Sequence, residues 1–427
     1  MSVSSRSGSV PPKPDDGLAS AKRRGSMQPA WVVILAAAAI AAIGMGVRQV
    51  MGLYLKPVSE TLGFGREVFA LSIAIANIVW GLAAPVTGAI SDSFGSGRVA
   101  AFGALMTAGG LLTLYSAHSE AQLIAAGVLL GFGVAGCGVN AMVGAVARVV
   151  SPEARTSAIA AIGMGSGAGI LIAMPYTHLL IEKLGWQTSL LALAGTAASM
   201  LGLAAMVRGR PEAVDDEPPQ QLGAALREAF AHPSFWLLNA GFFVCGFHVV
   251  FYGTHLPAYV ADKGLGPGVA VTALTVVGLG NLLGTYLAGR WGRRRPKRLG
   301  LSLIYAGRAV VFLGFLFLPI TPVTVIALSG VLGVLWLSTV PLTSGLVATF
   351  FGARWMTMLY GFVFLSHQIG SFLGAWLGGV IYDRLQSYDA MWWISVGLGV
   401  VAALINLPIR EEAVRRAAPA VVAECRG

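Results

Sequence analysis

The chain has 427 residues, of which 56% are hydrophobic and only 11% are charged, and its formal net charge is +10. So few charged residues cannot cover the surface of a water-soluble protein of this length, which excludes an ordinary soluble fold. The basic residues lie in short segments between apolar runs, so the positive charge indicates membrane topology and no nucleic-acid partner.

Residues 1–28 are polar and rich in Ser, Pro, Lys and Arg, and we predict that they form a disordered cytoplasmic tail. The apolar run that follows is longer than the core of a signal peptide, so we interpret it as a retained first helix. Each later run can also cross a hydrocarbon core of about 30 Å as a helix, whereas a transmembrane barrel would need short alternating segments. The twelve runs are 30–55, 67–90, 98–117, 121–147, 157–181, 187–207, 234–261, 268–289, 299–318, 322–350, 356–382 and 389–409.

A polar gap after the sixth run divides the chain into two sets of six helices. The segments LGFG at 62–65 and KGLG at 263–266 mark a weak repeat with an offset of 201 residues. Two parallel halves of this kind are a common transporter plan, with the substrate site between them near mid-membrane. The sequence therefore predicts an all-α membrane protein with two pseudo-symmetric six-helix bundles. Its parts are the bundles 29–207 and 233–410, a cytoplasmic linker at 208–232 with a short amphipathic piece at 222–230, and a cytoplasmic tail at 411–427.

The distribution of basic residues predicts the orientation of the chain. Most of the 29 Lys and Arg fall on the side of the N-terminus when twelve crossings are drawn, most densely at 290–298. Basic loops stay in the cytoplasm, so we expect both termini there, in a multi-pass protein of the bacterial inner membrane. We expect a monomer surrounded by the lipid bilayer.

Arg48 is the strongest candidate for a binding residue. Inserting an Arg at mid-bilayer costs at least ~2.5–3.5 kcal/mol of free energy, so its presence there needs a reason. It shares a helix face with Gly44 and Gly52, which would let a substrate or a second helix approach closely. Its planar guanidinium suits bidentate contact with a carboxylate. The alternative is that Arg48 reaches the outer surface or braces a helix carbonyl.

The seventh run carries His248, Tyr252 and His255 on a single stripe, at the depth of Arg48 under the 201-residue offset. They would complete a site from the second half, or hydrogen-bond between helices within that half. Metal binding is not expected, because no carboxylate or Cys completes a ligand set nearby.

Several other polar residues within the runs are cavity candidates, and each could instead make a buried helix–helix contact. They are Asn77, Trp80, Asn140, Asn281, His367 and Gln368. For Arg308, midway along the ninth run, we expect a structural role.

All 19 Asp and Glu fall in loops, tails or helix ends, which argues against efflux of cationic compounds. If transport is coupled to protons, a His must titrate or the substrate must carry the proton; exchange of one anion for another needs neither. We find no nucleophile–base set, phosphate loop or metal cluster, so neither an enzyme nor a cofactor is expected.

The segment GAISDSFGSGR at 88–98 resembles the loop signature of the major facilitator superfamily, G-x-x-x-D-x-x-G-x-R/K-R/K, although Gly97 replaces the first of two basic residues. The resemblance implies a twelve-helix transporter in which this loop locks one conformation. The residues implicated are Gly88, Asp92, Gly95 and Arg98, with Arg148 as the expected partner of Asp92.

A narrower resemblance is to the monocarboxylate and oxalate/formate porters. It rests on GVRQ at 46–49, on glycines alternating along 163–169 before Pro175, and on FLSHQIGSFLG at 364–374. Mammalian-type monocarboxylate porters carry Asp and Arg four residues apart in helix eight, where this chain has the neutral Asn281 and Thr285.

These features together predict alternating-access transport of a small organic anion, with Arg48 as its main contact and the glycine-rich helices five and eleven as rocking surfaces. Two alternatives are transport of a neutral or amphipathic compound, with Arg48 structural, and a transporter-like sensor that binds solute without moving it.

Overall fold

The computed structural model describes residues 29–138, 141–142, 145–146, 149–150, 152–209, 222–352 and 356–414. This part of the chain is helical, with no strand. In the first half the helices are α1 Ala30–Val50, α2 Leu55–Leu62, α3 Arg66–Phe94, α4 Ser96–Tyr115, α5 Glu120–Cys137 and α6 Pro152–Met206. A linker helix, α7 Leu222–Phe230, occupies the segment predicted to be amphipathic. The second half has α8 Pro233–Asp262, α9 Pro267–Arg294, α10 Lys297–Phe317, α11 Pro322–Leu335, α12 Thr339–Phe351, α13 Met356–Leu385 and α14 Asp389–Asn406.

Ten stretches of the described chain are long and apolar enough to cross a membrane. One of them, Ala160–Met206, contains two crossings, because Gly185 has a φ of +78° and turns the chain inside α6. Only glycine adopts this φ without strain, so a single residue separates the fifth and sixth helices. The polar His367 and Gln368 lower the hydropathy of α13, which is the remaining crossing. The twelve-helix prediction is confirmed.

The first crossing is longer than the sequence suggests. It runs through α1, a 3₁₀ turn at Met51–Tyr54, and α2, and covers 33 residues from Ala30 to Leu62. Arg48 has 18 residues before it and 14 after it in this span, which places it near the middle of the crossing.

The tenth crossing is broken in its middle. Helix α11 ends at Leu335 and α12 begins at Thr339. Arg308 of α10 is fully buried and donates from Nε and Nη2 to the carbonyl of Leu335, at 3.1 and 2.8 Å, and from Nη2 to that of Trp336. Asn281 of α9 accepts from the Leu337 N–H at 3.0 Å. Backbone groups freed inside a membrane need such partners, so the structural role expected for Arg308 fits its contacts.

The glycine-rich helices pack both inside each half and against the opposite half. A Cβ at Gly169 of α6 would lie 2.1 Å from the carbonyl oxygen of Ala42 in α1, so α6 approaches α1 closely. Gly370 and Gly374 of α13 approach the backbone of α8 in the same way. Gly167 of α6 lies against Leu282 of α9, and Gly379 of α13 against α3, so both helices also contact the opposite half. Their role as rocking surfaces stays a prediction.

Besides the contact of α6 with α9, the two halves meet along α3 and α13, at one end of the molecule. We call this the Arg66 end, and the opposite end, at the turn between α3 and α4, the Gly95 end. Glu67 of α3 lies against Gly379 of α13, and Gly81 lies against Gln368. Further toward the Gly95 end, Pro85 is exposed and the Cβ position of Gly88 has no neighbour within 4 Å. The packing between α3 and α13 therefore ends beyond Gly81.

Candidate functional site

Arg48 lies where the first half faces the second, and it makes few contacts. Its Nη2 donates to Asn77 Oδ1 at 2.9 Å, and its guanidinium carbon is 5.0 Å from the centre of the Trp80 ring. Its Nε is buried and has no hydrogen-bond partner among the described residues. The positive charge of Arg48 is therefore stabilised by one amide oxygen and one aromatic face, and its Nε–H remains free to donate.

Asn77 is held in the orientation that this contact needs. Its Nδ2 donates to the carbonyl of Ile73 at 2.8 Å, one turn earlier in α3. The amide oxygen is thereby turned toward Arg48, because the two ends of an amide cannot exchange roles.

No acid neutralises Arg48 in the described part of the chain. The ion pairs found there join Lys56 to Glu60 and Asp262, Arg66 to Asp262, and Lys297 to Glu411. A cation without a counter-charge in a mostly apolar setting favours the approach of an anion.

Two small cavities touch Arg48. One, of about 30 Å³, lies inside the first half and is bordered by Asn77 and Trp80 and by apolar side chains such as Phe69 and Leu130. The other, of about 20 Å³, lies between α1, α3 and α8 and reaches Gly253. A water needs about 10–15 Å³ on this measure, so each cavity holds one or two waters. The hydroxyls of Ser72 and Thr107 on the first cavity already bond to backbone carbonyls, and Asn77 bonds to Arg48 and Ile73. Arg48, whose Nε has no described partner, is therefore the charged group that this cavity offers to a ligand.

The way from Arg48 to the Arg66 end is closed by backbone contact. A Cβ on Gly52 would lie 2.3 Å from the carbonyl oxygen of Gly253 in α8. The two helices can approach this closely only because Gly52 has no side chain.

Beyond this contact, a cluster of charged residues joins the halves. Arg66 donates to both carboxylate oxygens of Asp262, at 2.6 and 2.7 Å, and to the Tyr388 hydroxyl at 3.0 Å. Asp383 accepts from the backbone N–H groups of Arg66 and Glu67, at 3.1 and 2.7 Å. Bidentate Arg–carboxylate pairs are the strongest of their kind, so this cluster fastens the Arg66 end.

Tyr388 takes part in the cluster as a neutral hydroxyl. Burial raises its pKa well above the ordinary value for a tyrosine, although the positive charge of Arg66 acts in the opposite direction. The hydroxyl also lies 3.1 Å from Nδ1 of His255, which links the cluster to α8.

The polar stripe of α8 does not face Arg48. His248 Nε2 lies 2.9 Å from the carbonyl oxygen of Ser395 in α14, and His255 Nε2 lies 2.7 Å from that of Ala375 in α13. Tyr252 and Ser329 of α11 share a hydrogen bond of 2.6 Å. All three side chains are buried within the second half and bond between its helices. The structure thus corrects the expectation that they complete the site, and we leave them out of it.

Of the remaining candidates, only Gln368 adjoins the Arg48 region from the second half. Its Cβ lies against Gly81, next to Trp80, and its Nε2 is buried without a partner among the described residues. His367 turns instead toward Phe242 and Ser371 inside its own half. Asn281 is occupied at the helix break, so neither it nor His367 is brought to Arg48. Asn140 lies outside the described residues.

Comparison with known proteins decides the family. The sequence profile of the Major Facilitator Superfamily matches residues 33–375. The chain belongs to this superfamily. Its members are transporters and not enzymes, which agrees with the expected absence of an active site.

Curated relatives of this transporter confirm the resemblance to the monocarboxylate branch. Monocarboxylate transporter 11 of Homo sapiens is 27% identical over 88% of this chain and 82% of its own length, and that of Mus musculus is 26% identical over 84% and 83%. The uncharacterized MFS-type transporter YcxA of Bacillus subtilis is 23% identical over 90% and 96%.

Solved structures share the fold of this transporter. The nucleoside transporter NupG, crystallised as a mutant, superposes with a TM-score of 0.74 at 13% identity, over 88% of this chain and 99% of that one. A bacterial homologue of the human lysosomal transporter Spinster, inward-facing and occupied, gives 0.69 at 15% identity, over 90% and 97%.

The superfamily loop of this transporter is partly described. Gly95 has a φ of +94° at the junction of α3 and α4, which explains the glycine there. A Cβ on Gly97 would lie 2.8 Å from the carbonyl oxygen of Ala204, so the usual basic residue has no room at this position. Gly88 and Asp92 lie in α3 and Arg98 is exposed. The Asp92 side chain and Arg148 lie outside the described residues, so their pairing stays a prediction.

The sequence interpretation missed the cluster at the Arg66 end. Arg66 and Asp262 stand at helix ends, where charged residues are ordinary, and they are 196 residues apart. The 201-residue repeat could have drawn attention to them, because it aligns the two loops that they flank. Within the described residues no group of three His, Cys, Asp or Glu could hold a metal ion.

Proposed function

We propose that this transporter moves a small organic anion of the carboxylate class across the bacterial inner membrane. One observation carries the proposal: Arg48 lies at mid-membrane, unpaired with any acid in the described chain, with a buried Nε left over beside a cavity. A carboxylate is the ligand that a guanidinium binds in a bidentate manner. The names of the monocarboxylate transporter relatives support the same class.

In the proposed site, Arg48 contacts the carboxylate, Asn77 orients Arg48, and Trp80 and Gln368 border the substrate from the two halves. Because the cavities hold only one or two waters, the substrate enters when the halves separate. The bound anion then contacts Arg48 in the first half and residues of the second half. Binding of a monovalent anion lowers the net charge of the carrier by one.

We propose alternating access as the mechanism. The Arg66 end is fastened by the Arg66–Asp262 pair and by the contact of Gly52 with Gly253, whereas α3 is uncovered at Pro85, toward the Gly95 end. With both termini in the cytoplasm, as the basic residues predict, this state faces inward. Opening the other way requires the Arg66 cluster to separate and the loop at 88–98 to close.

The positions of the acidic residues bear on which ion is coupled to transport. Acidic groups of the described chain lie near the helix ends and not beside Arg48, and His248, His255 and His367 are hydrogen-bonded inside the second half. In the proposed cycle a proton therefore travels with the substrate, or a second anion returns in exchange. We propose anion exchange or proton–anion symport on this ground.

The apolar lining of the larger cavity favours a second candidate, a neutral or amphipathic solute whose apolar part binds among Phe69, Leu114 and Leu130. In that case Arg48 is structural. Purified protein in proteoliposomes separates the two: vesicles loaded with an unlabelled carboxylate are offered the labelled acid or its uncharged amide.

We expect exchange of the acid and not of the amide, and loss of exchange in Arg48→Gln. Two charge-assisted hydrogen bonds at about 1.5–3 kcal/mol each correspond to at least about 100-fold weaker binding. Arg48→Lys keeps the positive charge but cannot donate two parallel hydrogen bonds to a carboxylate, so we expect it to retain part of the affinity. Arg410→Gln removes an exposed charge elsewhere and serves as the matched control.

Three results contradict the proposal. Wild-type exchange by Arg48→Gln would remove Arg48 from the site. Exchange of the amide alone would favour the second candidate. Ligand-induced thermal stabilisation without any exchange would indicate a solute sensor.

The alternating-access part has its own test. Asp262→Asn weakens the bond across the Arg66 end, and we expect a cysteine placed at Gly253 to become more reactive toward an impermeant thiol reagent. The exchanged pair Arg66→Asp with Asp262→Arg restores protection if the attraction between the halves is the cause. Unchanged labelling in all variants would exclude this pair as the fastening.

A further inference from the structure

Helix α9 ends in a group of exposed arginines that the proposed transport site does not use. We call Arg290, Arg293, Arg294 and Arg295 the α9 basic end. All four are exposed, and none forms an ion pair within the described chain; Arg295 only lies over the ring of Trp291, at 4.9 Å.

The adjacent basic residues are different, because they are used by the fold. Lys297 Nζ lies 3.8 Å from Glu411, whose other carboxylate oxygen accepts from the Arg298 N–H at 2.8 Å. The Arg298 side chain donates to the carbonyls of Leu407 and Ile409. The α9 basic end is therefore the part of this loop whose charge stays uncompensated in the described structure.

These arginines continue an apolar face of the same helix. Leu279, Leu283 and Leu287 are 51%, 53% and 46% exposed, and Arg290 and Arg294 follow them at spacings of three and four residues. Such spacings lie on one helix face. The distance along the axis from Leu283 to Arg294 is about 16 Å at 1.5 Å per residue.

The buried side of α9, which includes Leu274, Val277 and Ala288, packs on the protein. A Cβ on Gly280 or Gly284 would collide with the backbone of α11 near Gly333 and Val334. The leucine face therefore points away from the second half. A ligand on this face meets hydrocarbon first and guanidinium groups at the end of the helix.

We propose that the α9 basic end and the leucine face of α9 form a binding site for an anionic phospholipid. The arginines bind its phosphodiester headgroup, which presents oxygens in the geometry that guanidinium groups match. The acyl chains lie along Leu279, Leu283 and Leu287. A soluble phosphate lacks the apolar part, so it would use only half of the surface.

The first half does not carry the same site. The 201-residue offset aligns Arg293 with Asp92, so the corresponding turn of α3 has an acid where α9 has a base. Anionic lipid should therefore bind one half of this pseudo-symmetric protein in preference to the other. Attraction to the anionic leaflet in general would require only a basic cytoplasmic surface and would not depend on these positions.

Native mass spectrometry of the purified full-length protein tests this site. The detergent-solubilised protein is titrated with phosphatidylglycerol, cardiolipin, phosphatidylcholine and the soluble headgroup glycerol phosphate. We expect bound phosphatidylglycerol or cardiolipin, at least tenfold less phosphatidylcholine, and no retained glycerol phosphate.

The double variant Arg290→Gln with Arg294→Gln should lose at least tenfold in affinity for the anionic lipids. Arg227→Gln with Arg410→Gln removes the same two charges from exposed positions and should change the affinity less than twofold. Arg290→Lys with Arg294→Lys should retain an intermediate affinity. Each variant is checked for a monodisperse profile, and Arg294→Gln alone replaces the double variant if that one does not fold.

Equal losses in the two double variants would overturn the site in favour of a diffuse charge effect. An unchanged affinity in the first variant, or displacement of the lipid by glycerol phosphate at similar concentration, would overturn it as well. None of these readouts depends on transport, so they stand apart from the test of the carboxylate proposal.

Discussion

Arg48 and Arg308 both lie within membrane-spanning helices, but their contacts differ. Arg308 is fully buried and donates to two backbone carbonyls at the break between α11 and α12. Arg48 has one side-chain acceptor, Asn77, and lies beside two cavities. Each keeps one buried nitrogen without a partner among the described residues, Nη1 in Arg308 and Nε in Arg48. What distinguishes a binding arginine from a bracing one is therefore its acceptors and the space beside it.

The charge of Arg308 is offset by the helix that it binds. The carbonyls of Leu335 and Trp336 stand at the C-terminal end of α11, where the helix dipole is negative. Arg48 lies in the last turn of its own helix, α1, but its described contacts are with Asn77 and Trp80 and with no backbone carbonyl. Its positive charge thus remains available to a ligand.

The largest expected effect is on Arg308. Arg308→Gln leaves the carbonyls of the helix break without their donors, and breaking a buried arrangement of this kind costs about 3–5 kcal/mol. We expect a large drop in the thermal midpoint and in the yield of monodisperse protein. Arg48→Gln, measured beside it, should shift the midpoint little. The comparison fails if Arg48→Gln destabilises the protein as much as Arg308→Gln.

Asn77→Ala should come next in size. It removes the acceptor that orients Arg48, at about 1.5–3 kcal/mol for a hydrogen bond to a charged group. We expect roughly tenfold or greater weakening of substrate exchange, measured as the concentration for half-maximal counterflow. A shift in thermal midpoint without a change in exchange would show that Asn77 serves packing alone.

Asn281→Ala is the corresponding change at the helix break, with the smallest expected effect. It removes the acceptor for the Leu337 N–H, and we expect a loss of about 1 kcal/mol in stability and an unchanged half-maximal substrate concentration. The contrast with Asn77→Ala is the informative result. Weaker substrate exchange in Asn281→Ala would bring this residue back to the site, as the sequence first suggested.

The helices could be predicted from the sequence because each crossing is a long apolar run, and the depth of Arg48 followed from its run. The break in the tenth crossing was not predicted, although Pro341 follows it closely and cannot donate to the carbonyl of Leu337, four residues earlier. The side chains that stabilise the break come from α9 and α10: Asn281 accepts from the Leu337 N–H, and Arg308 donates to the carbonyls of Leu335 and Trp336. These partners lie far away in the chain, so they could not be predicted from the local sequence.

The prediction that the stripe of His248, Tyr252 and His255 faces Arg48 was wrong for a similar reason. Helix α8 is buried nearly all round, at 72% of its central residues. In such a helix periodicity identifies a stripe but not which neighbour it faces. Only the packing of α13 and α14 against α8 decides that these side chains bond within the second half.

If the two halves alternate as proposed, the contact between Gly52 and Gly253 also limits how fast this carrier can turn over. A barrier made of side chains can open when one rotamer changes, within nanoseconds. Here two main chains touch, so the passage past Gly52 opens only when whole helices separate, which takes microseconds to milliseconds. In the proposed mechanism, the same contact suppresses solute leakage through a transient gap.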